Sequence, residues 1–174
     1  MILYHFTAAE YLDAILREGL SKGDVPLVPV GAGLTGVWLT TDVDPAGQGL
    51  TDGYVLSEQE RAVWSNLFHR PCPPGMRFPN KRAVRIKVDI PREDTKLVRW
   101  TVCGREHLEP SWYRDLSRAA GGSRKTSSHW LYFGVIPPER FLSVERRHAE
   151  RSQNELPKFG YHLGTKNSKA TLPR

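Results

Sequence analysis

Apolar and polar positions alternate along Ala83-Val84-Arg85-Ile86-Lys87-Val88-Asp89-Ile90, the period of a strand with one wet face, here carrying Arg85 and Lys87. A different period governs the N-terminus. Apolar Ile2 and Leu3 lead into Tyr4-His5-Phe6-Thr7, after which Ala8, Tyr11, Leu12, Ile15 and Leu16 recur at helical spacing until Gly19-Leu20 stops them. The chain therefore opens with a strand followed by a helix over residues 8–18. Thr7-Ala8-Ala9-Glu10 has the form of a capping box at that junction.

The remaining pattern alternates short elements with long loops. Residues 21–35, rich in Gly, Pro and Val, read as an irregular loop, and residues 36–41 as a strand closed by Asp42 and Pro45. A Gly-rich loop over 45–53 precedes a short helix around Glu58–Phe68, and Pro71-Cys72-Pro73-Pro74-Gly75 breaks that helix. Residues 96–100 read as extended. Trp112, Tyr113, Leu116 and Ala120 share one face of a helix over 110–120 that Gly121-Gly122 ends. A polar, basic loop over 123–128 leads to a strand at 129–133, a turn at 136–140 and a last strand at 141–145. This order lacks the strict alternation of a doubly wound sheet and predicts an α+β domain over residues 1–147. From 148 to 174 the periodicity is lost, predicting a polar, basic and flexible tail in which Phe159-Gly160-Tyr161 could dock.

Composition narrows the classes. With 174 residues, 39% hydrophobic and 10% aromatic, the chain can bury the core of one globular domain. Its apolar runs are too short to span a bilayer, and no signal-like segment opens it, so a cytoplasmic protein is expected. Cys72 and Cys103 lie too far apart, without neighbouring histidines, for a zinc site and are expected to be free thiols. The six histidines are scattered and no H-E-x-x-H occurs, so no metal is expected. G-x-G-x-x-G and the P-loop motif are missing as well. A net charge of +6 favours a polyanionic partner.

A histidine at the end of a buried strand and beside a helix start is placed where α/β-type folds handle ligands, which singles out His5. Tyr4-His5-Phe6-Thr7, the helix end Ile15-Leu16-Arg17-Glu18-Gly19-Leu20, the strand Val37-Trp38-Leu39-Thr40-Thr41 and Ile136-Pro137-Pro138-Glu139 together resemble the ADP-ribosyltransferase superfamily. The likeness is to branches related to the DNA-modifying DarT toxins and the RNA 2′-phosphotransferases, and covers roughly residues 1–145. It implies a split β-sheet core with a few flanking helices, NAD as substrate, and a toxin or defence role as one setting. His5 would bond the adenosine-side ribose hydroxyl, the Phe6 backbone would bracket the nicotinamide amide, and Thr7 would add a hydroxyl contact. Tyr4 belongs to the same motif, and Trp38, Thr40 and Tyr54 would support the nicotinamide ribose and ring. Loss of nicotinamide through an oxocarbenium-like state needs an electrostatic stabiliser and an oriented acceptor.

One departure bears on activity. The superfamily usually places a Glu at the start of the strand before the Pro-Pro-Glu turn, where this chain has Ser128-His129-Trp130. Either His129 replaces it as a catalytic hydrogen-bonding group beside His5, or transfer is lost. A nucleic-acid acceptor would be held by basic loops through Arg82, Arg85, Lys87, Arg124 and Lys125. Three functions are expected: transfer of ADP-ribose to nucleic acid or, second, to protein; NAD-dependent RNA 2′-phosphotransfer, with Arg82, Arg85 and Arg124 on phosphate; or non-catalytic binding of an NAD-derived nucleotide or nucleic acid. Plainer readings stand beside these. His5 could be a core histidine donating to a backbone carbonyl, and His129 a packing residue. Trp38, Trp130 and Phe133 could be core aromatics, Thr7 only a cap, and Arg85 and Lys87 a solvated face.

Overall fold

The computed structural model describes residues 1–25 and 34–147, so the expected tail from His148 and most of the early loop lie outside the described residues. Strand β1 (Ile2–Thr7) is followed by a single 3-10 turn (Ala9–Tyr11) and helix α1 (Leu12–Glu18), so the α-helix expected over 8–18 begins only at Leu12, and Tyr11 and Leu16 of its expected apolar face are exposed. Gly19 ends α1 at φ 82°, and a Cβ there would lie 2.5 Å from the Ile136 carbonyl oxygen. Glycine is therefore required twice over, by the left-handed backbone and by the close approach. The expected capping box does not form, since no side chain caps either turn. Thr7 is instead the last residue of β1, paired with Val84 and buried. Strand pairing has claimed the residue that the local motif would use as a cap. The capping box that does form belongs to Ser57 and Glu60, at the head of α2 (Glu58–Phe68).

The loop expected over 21–35 contributes a two-strand ladder, β2 (Asp24–Val25) against β3 (Leu34–Thr35). Then come β4 (Val37–Thr40), β5 (Val84–Asp89) and β6 (Leu97–Arg99). The next two segments depart from expectation. Trp100 does not continue the extended piece but opens α3 (Trp100–His107). Thr101, Val102 and Gly104 are weak helix formers, and burial of Trp100 and Cys103 on one face overrides them. After α4 (Pro110–Ala119), the expected basic loop contains one helical turn, α5 (Ser123–Thr126). The reason is Thr126, fully buried and donating its hydroxyl to the Gly122 carbonyl at 2.8 Å. Strands β7 (His129–Tyr132) and β8 (Phe141–Arg146), separated by a 3-10 turn at Pro138–Arg140, are the last elements among the described residues.

Six strands form one open, wholly antiparallel sheet in the order β6-β7-β4-β1-β5-β8, and with its flanking helices the fold is α+β. The pairing is uneven. β1 and β5 match at six positions, Ile2↔Asp89 through Thr7↔Val84, and β4 and β7 at four. β1 and β4 meet only at Tyr4↔Thr40. The sheet thus parts into halves, β6-β7-β4 and β1-β5-β8, joined at its centre by one register pair.

Pleating sends alternate residues to opposite faces. Leu3, Val37, Leu39, Val84, Ile86, Trp130 and Tyr132 share one face and form the main core with Leu12 and Leu20, Ile15 packing on it. On the other face Leu131 joins Trp100, Cys103 and Leu108, with Trp38, Trp112 and Tyr113 packed around them.

Candidate functional site

His5 stands where the two halves part. Its register partner is Ile86, which places its side chain on the main-core face beside Leu3, and it is half-buried. Nδ1 lies 2.9 Å from the carbonyl oxygen of Trp38 on β4. A carbonyl can only accept, so Nδ1 carries the proton and the neutral ring presents its Nε2 lone pair. Burial holds the imidazole below its ordinary pKa; the Trp38 bond opposes this and the charge of Lys81 adds to it. His5 is thus a neutral acceptor for a hydroxyl at physiological pH. The plain expectation of a bond to a backbone carbonyl is met, and Nε2 forms no hydrogen bond among the described residues. Phe6 and Thr7 are buried beside it, while Tyr4, facing the opposite way, has the Arg85 guanidinium 5.6 Å from its ring centre.

A second polar group gathers on Tyr4's face. Thr40 pairs with Tyr4 on one side and His129 on the other, and the Trp38 ring meets His129 edge-on at 6.1 Å and Trp100 at 4.9 Å. Ser128 donates its hydroxyl to the Lys125 carbonyl at 2.7 Å, so Thr40 is the donor in the 2.9 Å bond between their hydroxyls. Thr40 Oγ1 in turn accepts the Asp42 amide at 3.0 Å. Lys125 Nζ donates to Asp42 Oδ2, and that bond chiefly holds the Asp42 carboxyl below the usual range. His129 is 7% exposed and its Nδ1 has no hydrogen-bond partner. Burial, ahead of the Lys125 charge, pushes its pKa down to about 4 against the pull of Asp42. His129 is neutral at pH 7.

His5 and His129, expected to act together, therefore project from opposite faces of the sheet. Of the residues expected to hold NAD, Tyr4, Phe6, Trp38 and Thr40 share one face of the β1/β4 region while His5 and Thr7 project from the other, His5 reaching only the Trp38 backbone carbonyl. Tyr54 lies in the ladder formed by Asp52↔Asn80 and Val55↔Arg77. Its hydroxyl donates to Glu60 at 2.8 Å and its ring packs on Phe78, which ties it to the start of α2. Trp130 is a core aromatic, and Phe133 packs half-buried on the second cluster.

The basic residues do not make one open surface. Arg82 Nε donates to the Leu50 carbonyl at 2.8 Å, Arg85 bonds the Val43 carbonyl and Glu145, and Lys125 is paired with Asp42. Lys87 and Arg124 form no ion pair among the described residues, and they stand on different elements, β5 and α5. Sequence reasoning passed over Asp42, Ser128 and Lys81. Asp42 looked like a strand stop, and nothing local links it to Lys125, 83 positions on.

An open depression of about 360 Å³ lies along α2, lined by Glu58, Arg61, Ala62, Ser65, Pro71 and Cys72, apart from the residues expected to bind NAD or nucleic acid. Both cysteines are free, Cys103 buried and Cys72 half-buried. Among the described residues no group of His, Cys, Asp or Glu is arranged to hold a metal, and no helix is long and apolar enough to cross a membrane. No family model, curated protein or solved structure matches this chain.

Proposed function

We propose that this protein binds NAD where its sheet parts and acts as an ADP-ribosyltransferase-like enzyme on a nucleic-acid acceptor. The observation that carries the reading is His5 at the junction of β1 and β4, with Nδ1 spent on Trp38 and Nε2 left as a neutral acceptor. A ribose diol supplies the donor that Nε2 lacks. The polyanionic acceptor is supported only by charge. Five basic and two acidic residues lie beyond Arg147, so half of the net +6 falls in that segment.

Calorimetric titration with NAD tests the reading. Wild type binds, and His5→Ala weakens binding about tenfold, the worth of one well-made hydrogen bond. Wild type that takes up no heat on titration refutes it. Neutral His129, standing where a carboxylate is usual, favours one second reading, a module that binds the nucleotide without consuming it. Binding with no nicotinamide released, DNA and RNA being present, selects that module.

A further inference from the structure

We propose that the nucleic-acid acceptor lies on the outward face of the ladder formed by residues 51–56 and 76–81, with its phosphodiester backbone on Arg77 and Lys81. This rests on the nucleic-acid reading above and gives that partner a surface.

Charge is spread unevenly along the chain. Residues 61–88 hold seven Lys or Arg and no Asp or Glu. A solvated face normally mixes both signs, so an acid-free stretch of this length favours a polyanion. Among the described residues only Arg85 of the seven forms an ion pair, with Glu145. The acids just before the stretch are placed elsewhere. Glu60 bonds Ser57 and Tyr54, Glu58 lines the depression along α2, and Asp52 falls on the opposite side of the ladder from Arg77.

The ladder sorts its side chains by parity. Asp52↔Asn80 and Val55↔Arg77 share one register, and main-chain amides donate from Phe78 to Tyr54 at 3.0 Å and from Leu56 to Met76 at 2.8 Å. Pleating therefore sends Tyr54, Leu56 and Phe78 one way and Val55, Arg77 and Lys81 the other. The first group packs inward. Leu56 is buried, the Tyr54 and Phe78 ring centres lie 5.1 Å apart, and Phe78 meets Trp64 of α2 edge-on at 5.0 Å. The second group is exposed.

Arg77 and Lys81 thus stand on one surface, at most about 13 Å apart along the chain. Between them Gly53, on the facing segment, adds no side chain. Arg77 Nη1 donates to the Gly53 carbonyl at 2.9 Å, which fixes the guanidinium and leaves its other N–H groups for phosphate.

The surface opens beside the proposed NAD site. Lys81 lies in the turn in which the Ala83 amide donates to the Asn80 carbonyl at 3.1 Å. The next residue, Val84, starts β5 opposite Thr7, two positions after His5 on β1. The Lys81 charge is felt at the His5 ring, whose pKa it helps to lower. A strand of nucleic acid along this face is delivered to the end of β1 nearest His5.

An anionic membrane is the poorer fit. The aromatic side chains of the ladder point inward, and Val55 is the one large exposed hydrophobic on the outward face, too little to enter a headgroup layer.

Fluorescence anisotropy of the full chain with labelled single-stranded DNA and RNA of about 20 nucleotides, between about 50 and 200 mM salt, tests the placement. Each phosphate contact on a single strand contributes about 0.7 to the slope of log Kd against log salt. Arg77→Ala with Lys81→Ala should lower that slope by about 1.4 and weaken binding at least about tenfold at the lower salt. Arg77→Lys with Lys81→Arg should keep both near wild type. The alanine loss in either the DNA or the RNA arm supports the placement, and the tighter arm names the sugar. An alanine variant with unchanged slope and affinity overturns it and leaves a nucleic-acid acceptor held elsewhere. A charge-keeping variant that falls as far as the alanine one gives the two residues a structural role, which also overturns it. Wild type that binds phosphatidylserine vesicles but neither oligonucleotide overturns it in favour of a membrane surface. Wild type that binds none of the three removes the nucleic-acid acceptor along with the placement and leaves NAD binding to its own titration.

Discussion

Lowering the pH from 8 to 5 tests the burial of His129 through stability. In the folded protein its imidazole titrates near pH 4, against 6.5 for an unperturbed histidine. A folded-state pKa below the unfolded value means that the unfolded chain takes up the proton first. The contribution is therefore fully present above about pH 6.5 and is lost as pH falls toward 4. Weighing the two titrations at pH 5 gives a loss of about 2 kcal/mol, rising to about 3 kcal/mol below pH 4. With a urea dependence of about 2 kcal/mol per molar, the unfolding midpoint should drop by about 1 M between pH 8 and pH 5. Carboxylates and His5 titrate too, so the informative quantity is the difference in midpoint between wild type and His129→Gln. Those other groups are common to both proteins and cancel. The difference should shrink by about 1 M as pH falls from 8 to 5. A difference that stays constant with pH would refute the buried, neutral state on which the assignments at this site depend.

Four further substitutions probe the frame of the fold. Gly121→Ala, at φ 92° with its Cβ driven into the Gly47 carbonyl, should cost at least about 2 kcal/mol by denaturant unfolding. Gly75→Ala, also left-handed but facing open space, should cost only about 1 kcal/mol. Ser57→Ala should remove about 1 kcal/mol by the same measure through its cap on α2, whereas Thr7→Ser, at a residue that caps nothing, should leave the helical circular dichroism signal of α1 intact.

The chain's periodicities carried much of the fold. Val84, Ile86 and Val88 alternate with polar residues over one strand, and Leu12 and Ile15 mark one helix face. Each pattern reports burial of a local stripe, which is a property of neighbours in sequence. The missed elements share a cause. Trp100 and Cys103 override poor local propensity in α3, and Thr126 pulls a polar stretch into α5, both through contacts made only in the folded chain. Thr7 shows the reverse, a well-formed local signal displaced by pairing with Val84.

The candidate site divides along the same line. His5 was visible because strand, histidine and helix follow one another in sequence, but the structure sets it inside β1, two residues before Thr7 ends the strand, because pairing with Val84 extends the strand past it. Its tautomer depended on Trp38, 33 positions away on a strand that touches β1 at a single pair. Composition and spacing set neither the opposite-facing placement of His5 and His129 nor the bonding of Arg82, Arg85 and Lys125 into the protein. Register and pleat decided the first, and long side chains finding distant carbonyls and carboxylates decided the second. The Asp42–Lys125 pair belongs wholly to the tertiary structure: its members gain meaning from a distance in space, and the sequence holds only their separation along the chain.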